Sequence, residues 1–167
     1  GSVIFKLSPS TLGLYSFTMA AGYMLGNFLS GRYARRVGIG PMMLSGNVVS
    51  LIGIAATFLF LTVDTGHPFA FFGPLSLIGV GNGLTLPSAN AGMVSVRPHL
   101  AGSASGLGGA ITLGGGAALS VLAGSVLTPQ TGTLPLLLVM LVTVIFALLS
   151  TEYVRWIGRR EGAVDDG

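Results

Sequence analysis

Five long stretches of this sequence pass without one Asp, Glu, Lys or Arg well inside them: about 10–30, 41–63, 68–96, 101–127 and 133–151. A helix needs about 20 mostly apolar residues to cross the hydrocarbon core of a bilayer, and each stretch is about that long or longer. Charged residues make up 8% of the chain and hydrophobic ones 51%, whereas a soluble domain carries roughly 25% charge. The mean hydropathy is +0.82. There is too little polar surface here to cover a water-soluble globule. The predicted fold class is therefore all-α integral membrane, with about five transmembrane helices followed by a tail over 152–167. Ser8-Pro9 supplies a helix start, an N-cap followed by a proline whose missing N–H costs nothing at the first position; Pro41 and Pro68 open the second and third spans.

The charges lie between these spans. Arg32, Arg35 and Arg36 fall in the connection 31–40, Arg97 and His99 in 97–100, and Arg155, Arg159 and Arg160 in the tail. The alternate connections hold only Asp64 (64–67) or no charge at all (128–132). The positive-inside rule then places 31–40, 97–100 and the C-terminus in the cytoplasm and the N-terminus outside, with Lys6 as the exception. The net charge of +3 and pI near 9.8 are thus read as membrane topology; no nucleic-acid partner is expected. The first residue is Gly, and an odd span count with an outside N-terminus is what remains of a longer, even-spanned protein. A truncated or processed product is expected, and a cleavable signal peptide is not.

Catalytic and cofactor chemistry finds little support. There is no Cys, hence no thiolate metal site or Cys nucleophile. His67 and His99 fall on opposite sides of the membrane in this topology and cannot share a metal. Gly79-Val-Gly81 and Gly106-Leu-Gly108 have Leu84 and Ile111 where the last glycine of a dinucleotide fingerprint belongs, and no Walker lysine follows. Neither a cofactor nor an enzyme activity is expected. No span offers an acid for proton relay, since Asp64 and Glu152 sit at span ends.

The spans differ in what they face. The second and fifth are almost uniformly large and apolar, as lipid-facing peripheral helices are, and Asn47 reads as a packing amide. The first carries Gly22-x-x-x-Gly26 and Ser30, and the fourth carries Gly102-x-x-x-Gly106, Ser105-x-x-x-Gly109 and Ala110-x-x-x-Gly114. Small residues four apart let helix backbones approach closely in lipid, so these two spans are expected to pack tightly. Plain helix packing and a sliding interface between two halves of a transporter both fit. The third span holds the most polar chemistry, GVGNGLTLPSANAG over 79–92. Asn82 lies near its midpoint, with Thr85 and Ala89 on roughly the same face and Asn90 about 80° round. Pro87 is expected to kink the helix. Asn82, Thr85, Asn90, Tyr23 and Asn27 are the substrate-cavity candidates; the alternative for the amides is interhelical hydrogen bonding, worth ~1 kcal/mol.

Gly26-Asn-Phe-Leu-Ser-Gly-Arg32-Tyr-Ala-Arg35-Arg36-Val-Gly38 resembles the eighth-to-ninth helix region of the major facilitator superfamily, and more narrowly its Bcr/CflA-type drug-resistance transporters. Leu86-Pro87-Ser88-Ala89-Asn90-Ala91, then Arg97-Pro98-His99 and Ala101-Gly102-Ser103-Ala104-Ser105-Gly106-Leu107, is similar to that subfamily's tenth and eleventh helices. The resemblance implies a C-terminal portion, helices eight to twelve. It places Asn82 toward a central cavity, the first and fourth spans between the two halves, and the second and fifth at the periphery. Gly31, Arg36 and Gly38 match the superfamily's gating loop, with Arg35 where its acid belongs. The implied function is proton-coupled export of drugs or amphipathic small molecules by alternating access in a bacterial inner membrane. Its partners would be the bilayer, the missing N-terminal half, substrate and protons. A porter for a metabolite such as a sugar or organic acid, and a small membrane scaffold or assembly protein, are the alternatives.

Overall fold

Pro9 opens the first helix, and glycine and proline punctuate the rest. The computed structural model describes residues 9–62, 68–96, 98–126 and 134–165. They form α1 (Pro9–Val37), α2 (Ile39–Thr62), α3 (Pro68–Val96), a 3-10 turn (Pro98–Leu100), α4 (Ala101–Val126) and α5 (Leu134–Asp165). No strand occurs among the described residues. The shortest helix, α2, has 24 residues and spans about 36 Å at its ordinary rise, more than the ~30 Å hydrocarbon core. Three segments also meet the apolarity of a membrane span among the described residues: Ile39–Phe60, Pro98–Ser125 and Leu134–Arg160. Tyr23 and Asn27 lie within α1, and Asn82 and Asn90 within α3. α1 and α3 pack backbone to backbone.

The connection expected over 31–40 is nearly all helix. Nothing in RYARRV stops an α-helix, and α1 runs on until Gly38, whose φ of +92° suits glycine alone. The Gly38 N–H donates to the Ala34 carbonyl at 2.9 Å, and its own carbonyl accepts from the Met42 N–H at 3.3 Å. One residue thus closes α1 and starts α2. Arg32, Arg35 and Arg36 ride the last turns of α1, where the helix dipole favours cations. The expected tail is helical as well, since α5 continues to Asp165. Its extension is laced by an Arg155–Glu152 ion pair, a Tyr153–Trp156 stack with centroids 6.2 Å apart and Arg160 lying 3.9 Å over the Trp156 ring, all at the three- and four-residue spacings of helix neighbours. Arg97, Lys6, Ser8, Asp64 and His67 lie outside the described residues.

α3 is the centre of the bundle, gripped on two sides. Against α1 the contact is glycine on glycine. A Cβ at Gly22 or Gly26 would strike the Ser76 or Val80 carbonyl, and one at Gly79 or Gly83 would strike the Met19 or Tyr23 carbonyl. Against α2, Gly81 and Gly46 face each other's backbone, and Gly53 sits under the Pro74 carbonyl. Pro74 and Pro87 both lie inside α3; each removes one backbone bond without ending the helix.

α2 buries one face, with Ile54 and Thr57 fully buried, between α3 and α5, and leaves Val48, Ile52 and Leu59 exposed. Its apolar residues serve a helix interface as well as lipid, a distinction that hydropathy does not carry. On α4, most glycines meet no other helix among the described residues. Gly102, Gly106, Gly109 and Gly114 have no neighbour within 4 Å, and the glycine of α4 that does meet another helix is Gly108, against Met93.

Gly79→Leu and Gly83→Leu should each destabilise the bundle by about 2–3 kcal/mol, while Gly106→Leu should leave it within ~0.5 kcal/mol. Gly38→Ala should cost ~1–2 kcal/mol for its left-handed backbone. Thermal unfolding in detergent, followed by helical circular dichroism, checks all four.

Candidate functional site: a polar hollow between two helices

Because Gly79 has no side chain, α3 comes directly beneath the Met19 carbonyl of α1. A hollow of about 330 Å³ opens beside that contact, lined by Ser16, Met19, Ala20 and Tyr23 from α1 and Gly79 and Asn82 from α3. Asn82 is exposed, and Tyr23 keeps 41% of its surface. The lining holds amide, phenol, hydroxyl and thioether but no charge. It offers hydrogen bonds and an aromatic face to a ligand.

The other candidates are placed elsewhere. Asn27 donates from Nδ2 to the Tyr23 carbonyl at 2.9 Å, so its amide is tied to its own helix. Thr85 turns toward α2, its hydroxyl 3.5 Å from both the Met43 carbonyl and Asn47 Oδ1. Three residues along a helix turn the direction by about 60°, and that suffices to send Asn82 to the hollow and Thr85 to the interface. Asn90 is exposed two turns beyond Asn82, outside the hollow's lining. Of the five cavity candidates, then, Tyr23 and Asn82 meet. Ser16, Met19, Ala20 and Gly79 were not singled out in the sequence. Their signal was there: Ser16, Met19 and Ala20 precede Tyr23 by seven, four and three residues, one face of a helix.

Asn47 has a different task. It is buried and donates from Nδ2 to Thr151 Oγ1 at 2.9 Å, while Thr151 donates to the Ala147 carbonyl at 2.8 Å. This joins α2, α3 and α5 through polar groups that each have a partner. Nearer the arginine-bearing end, Ser30 and Ser88 place their hydroxyls 3.2 Å apart between α1 and α3, both buried.

These contacts set the helix directions. The pairs 22/76, 26/80 and 30/88 rise together, so α1 and α3 are parallel. The pairs 46/81 and 53/74 run oppositely, as do 40/155 and 47/151, so α2 is antiparallel to α3 and to α5. Arg32, Arg35 and Arg36 therefore share one end of the bundle with Arg155, Arg159 and Arg160. Gly31, mid-turn in the arginine segment, has no neighbour within 4 Å. Among the described residues the one ion pair is Arg155–Glu152, and no three His, Cys, Asp or Glu gather as metal ligands.

A family model described as Major Facilitator Superfamily matches residues 2–165. The chain belongs to the major facilitator superfamily. That superfamily is made up of transporters, and this member is an integral membrane protein whose helices cross the bilayer. No curated protein and no solved structure matches the chain. Within this superfamily member, the hollow at Tyr23 and Asn82 is the polar recess that two closely packed helices share, and Asn47 is a structural amide.

Asn47→Leu should lower stability by about 1–2 kcal/mol, because it removes the hydrogen bond from Asn47 to Thr151 that ties α2 to α5. Asn82→Leu should change it by less than ~0.5 kcal/mol. Unfolding midpoints of the two variants in the same detergent separate the roles.

Proposed function

We propose that this chain is the C-terminal portion of a proton-coupled exporter, helices eight to twelve of a Bcr/CflA-type transporter of a bacterial inner membrane, moving drugs or other amphipathic small molecules by alternating access. The observation that carries the reading is the hollow between α1 and α3, where an exposed amide and phenol meet on an uncharged surface. Such a surface suits neutral or cationic amphipathic compounds. An organic acid would call for a basic residue, and none lines it. Asn82 and Tyr23 would contact substrate; the coupling acid and the opposite cavity wall would come from the N-terminal half.

The glycine face of α4 supports the same reading. A helix whose small residues at Gly102, Gly106, Gly109 and Gly114 meet nothing among the described residues is suited to slide against helices of that half. The arginine-bearing end would lie in the cytoplasm and the N-terminus outside, with Arg32, Arg35, Arg36 and Arg97 setting orientation and Gly31, Arg36 and Gly38 forming a degenerate gating segment.

The test is export by the full-length transporter in inverted vesicles, energised by a proton gradient and read with a fluorescent cationic dye. Asn82→Leu should cut the export rate about tenfold, a loss of ~1.4 kcal/mol, at unchanged protein level. Reversing Arg32, Arg35 and Arg36 to Glu should abolish export or invert the topology. The 167-residue chain alone in liposomes should not transport. Full export by Asn82→Leu would remove Asn82 from the substrate path.

A further inference from the structure

α3 and α5 both lean on α2 but scarcely touch each other. Toward the arginine-bearing end this leaves a crevice of about 540 Å³, with Gly40 and Met43 of α2 as its floor, Ala89 and Met93 of α3 as one wall, and Val154 and Arg155 of α5 as the other. The volume falls in the range of ligand sites, roughly 300–1,000 Å³. Its interior is aliphatic, with two methionine thioethers that adapt their shape to an irregular occupant. From Ala89 to Ser95 the wall runs about 9 Å along the helix axis, so the space is a slot parallel to the helices.

Its mouth is different. Arg155 stands there with its side chain 19% exposed and its stem laid against Gly40, where a Cβ would lie 2.9 Å from Arg155 Cγ. Gly40 is in the first turn of α2, the positive end of the helix dipole; Pro41 has no N–H and the Met42 N–H donates to the Gly38 carbonyl, so Ile39 and Gly40 supply the leading N–H groups. At the same level α5 carries the stacked Tyr153 and Trp156, residues that settle at the membrane–water boundary. A slot that is greasy within, positive at its mouth and set at the headgroup level is complementary to a phospholipid.

We propose that this crevice binds an anionic phospholipid of the adjoining leaflet, one acyl chain lying between α3 and α5 and the phosphate resting on Arg155 and the first turn of α2. Glu152, ion-paired with Arg155, competes with that phosphate and holds the guanidinium at the rim when no lipid is bound. The inference rests on membrane insertion and on no particular transported substrate.

The full chain in detergent, titrated with phosphatidylglycerol, phosphatidylcholine of the same chain length, or inorganic phosphate and read by native mass spectrometry, tests it. Phosphatidylglycerol should be retained at least about fivefold more tightly than phosphatidylcholine, and inorganic phosphate should not be retained. Ala89→Phe, which fills the slot, should weaken retention of both lipids about tenfold; Leu113→Phe, on the exposed face of α4, should not. Arg155→Gln should abolish the preference for phosphatidylglycerol while phosphatidylcholine retention stays, and Glu152→Gln should sharpen it. Against the chance that Ala89→Phe misfolds, phosphatidylglycerol with a photoreactive acyl chain should label Met43 or Met93 of the unaltered chain. Equal retention of the two lipids, a preference that survives Arg155→Gln, retention of inorganic phosphate alone, or labelling confined to α4 would each overturn the proposal.

Discussion

The structure depends on the contact between α1 and α3 across Gly22, Gly26, Gly79 and Gly83. In lipid, apolar side chains gain nothing by leaving their surroundings for one another, so association rests on dispersion between closely approaching backbones and on polar groups that find partners. Four missing Cβ atoms bring carbonyls of one helix onto the backbone of the other. Once α1 is seated, α3 can be clasped from its other side by Gly46 and Gly53 of α2. The polar residues of α3 are then sorted by direction alone. Thr85 meets Asn47, Ser88 meets Ser30, and Asn82 is left facing the hollow.

Much of this arrangement was legible in the sequence, at the level where composition speaks for itself. Long charge-free runs can only be helices when lipid is the solvent, and arginines on alternate connections imply that those ends gather together. Gly22 and Gly26 announced a tight contact by their spacing. Other features were hidden because the deciding partner is remote in sequence. Gly102, Gly106, Gly109 and Gly114 of α4 have the same spacing, yet they meet nothing among the described residues. The apolar run of α2 reads as lipid-facing although Ile54 and Thr57 are buried. The segment 31–40, rich in arginine and glycine, reads as a loop; only the +92° φ of Gly38 makes it two helices separated by one residue.

The candidate site was half legible. Asn82 and Tyr23 were named for their polarity, and the fold brings them together. Thr85 and Asn27 were named for the same reason and are spoken for by a neighbouring helix and by their own backbone. Polarity identifies groups that need partners; which partner each receives is settled by turns of tens of degrees that a one-dimensional pattern does not resolve. The hollow opens beside the tight α1–α3 contact, and the crevice opens where α3 and α5 both lean on α2.

The most direct test of the α1–α3 contact uses the absence of cysteine from the chain. Ser30 and Ser88 place their oxygens 3.2 Å apart, so the double variant Ser30→Cys, Ser88→Cys presents two sulfurs within reach of a disulfide. Mild oxidation in native membranes should join them and protect both from maleimide, while each single variant stays in the free-thiol form. Two thiols that remain unjoined and reactive after oxidation would contradict the register of α1 on α3, and with it the account built on that contact.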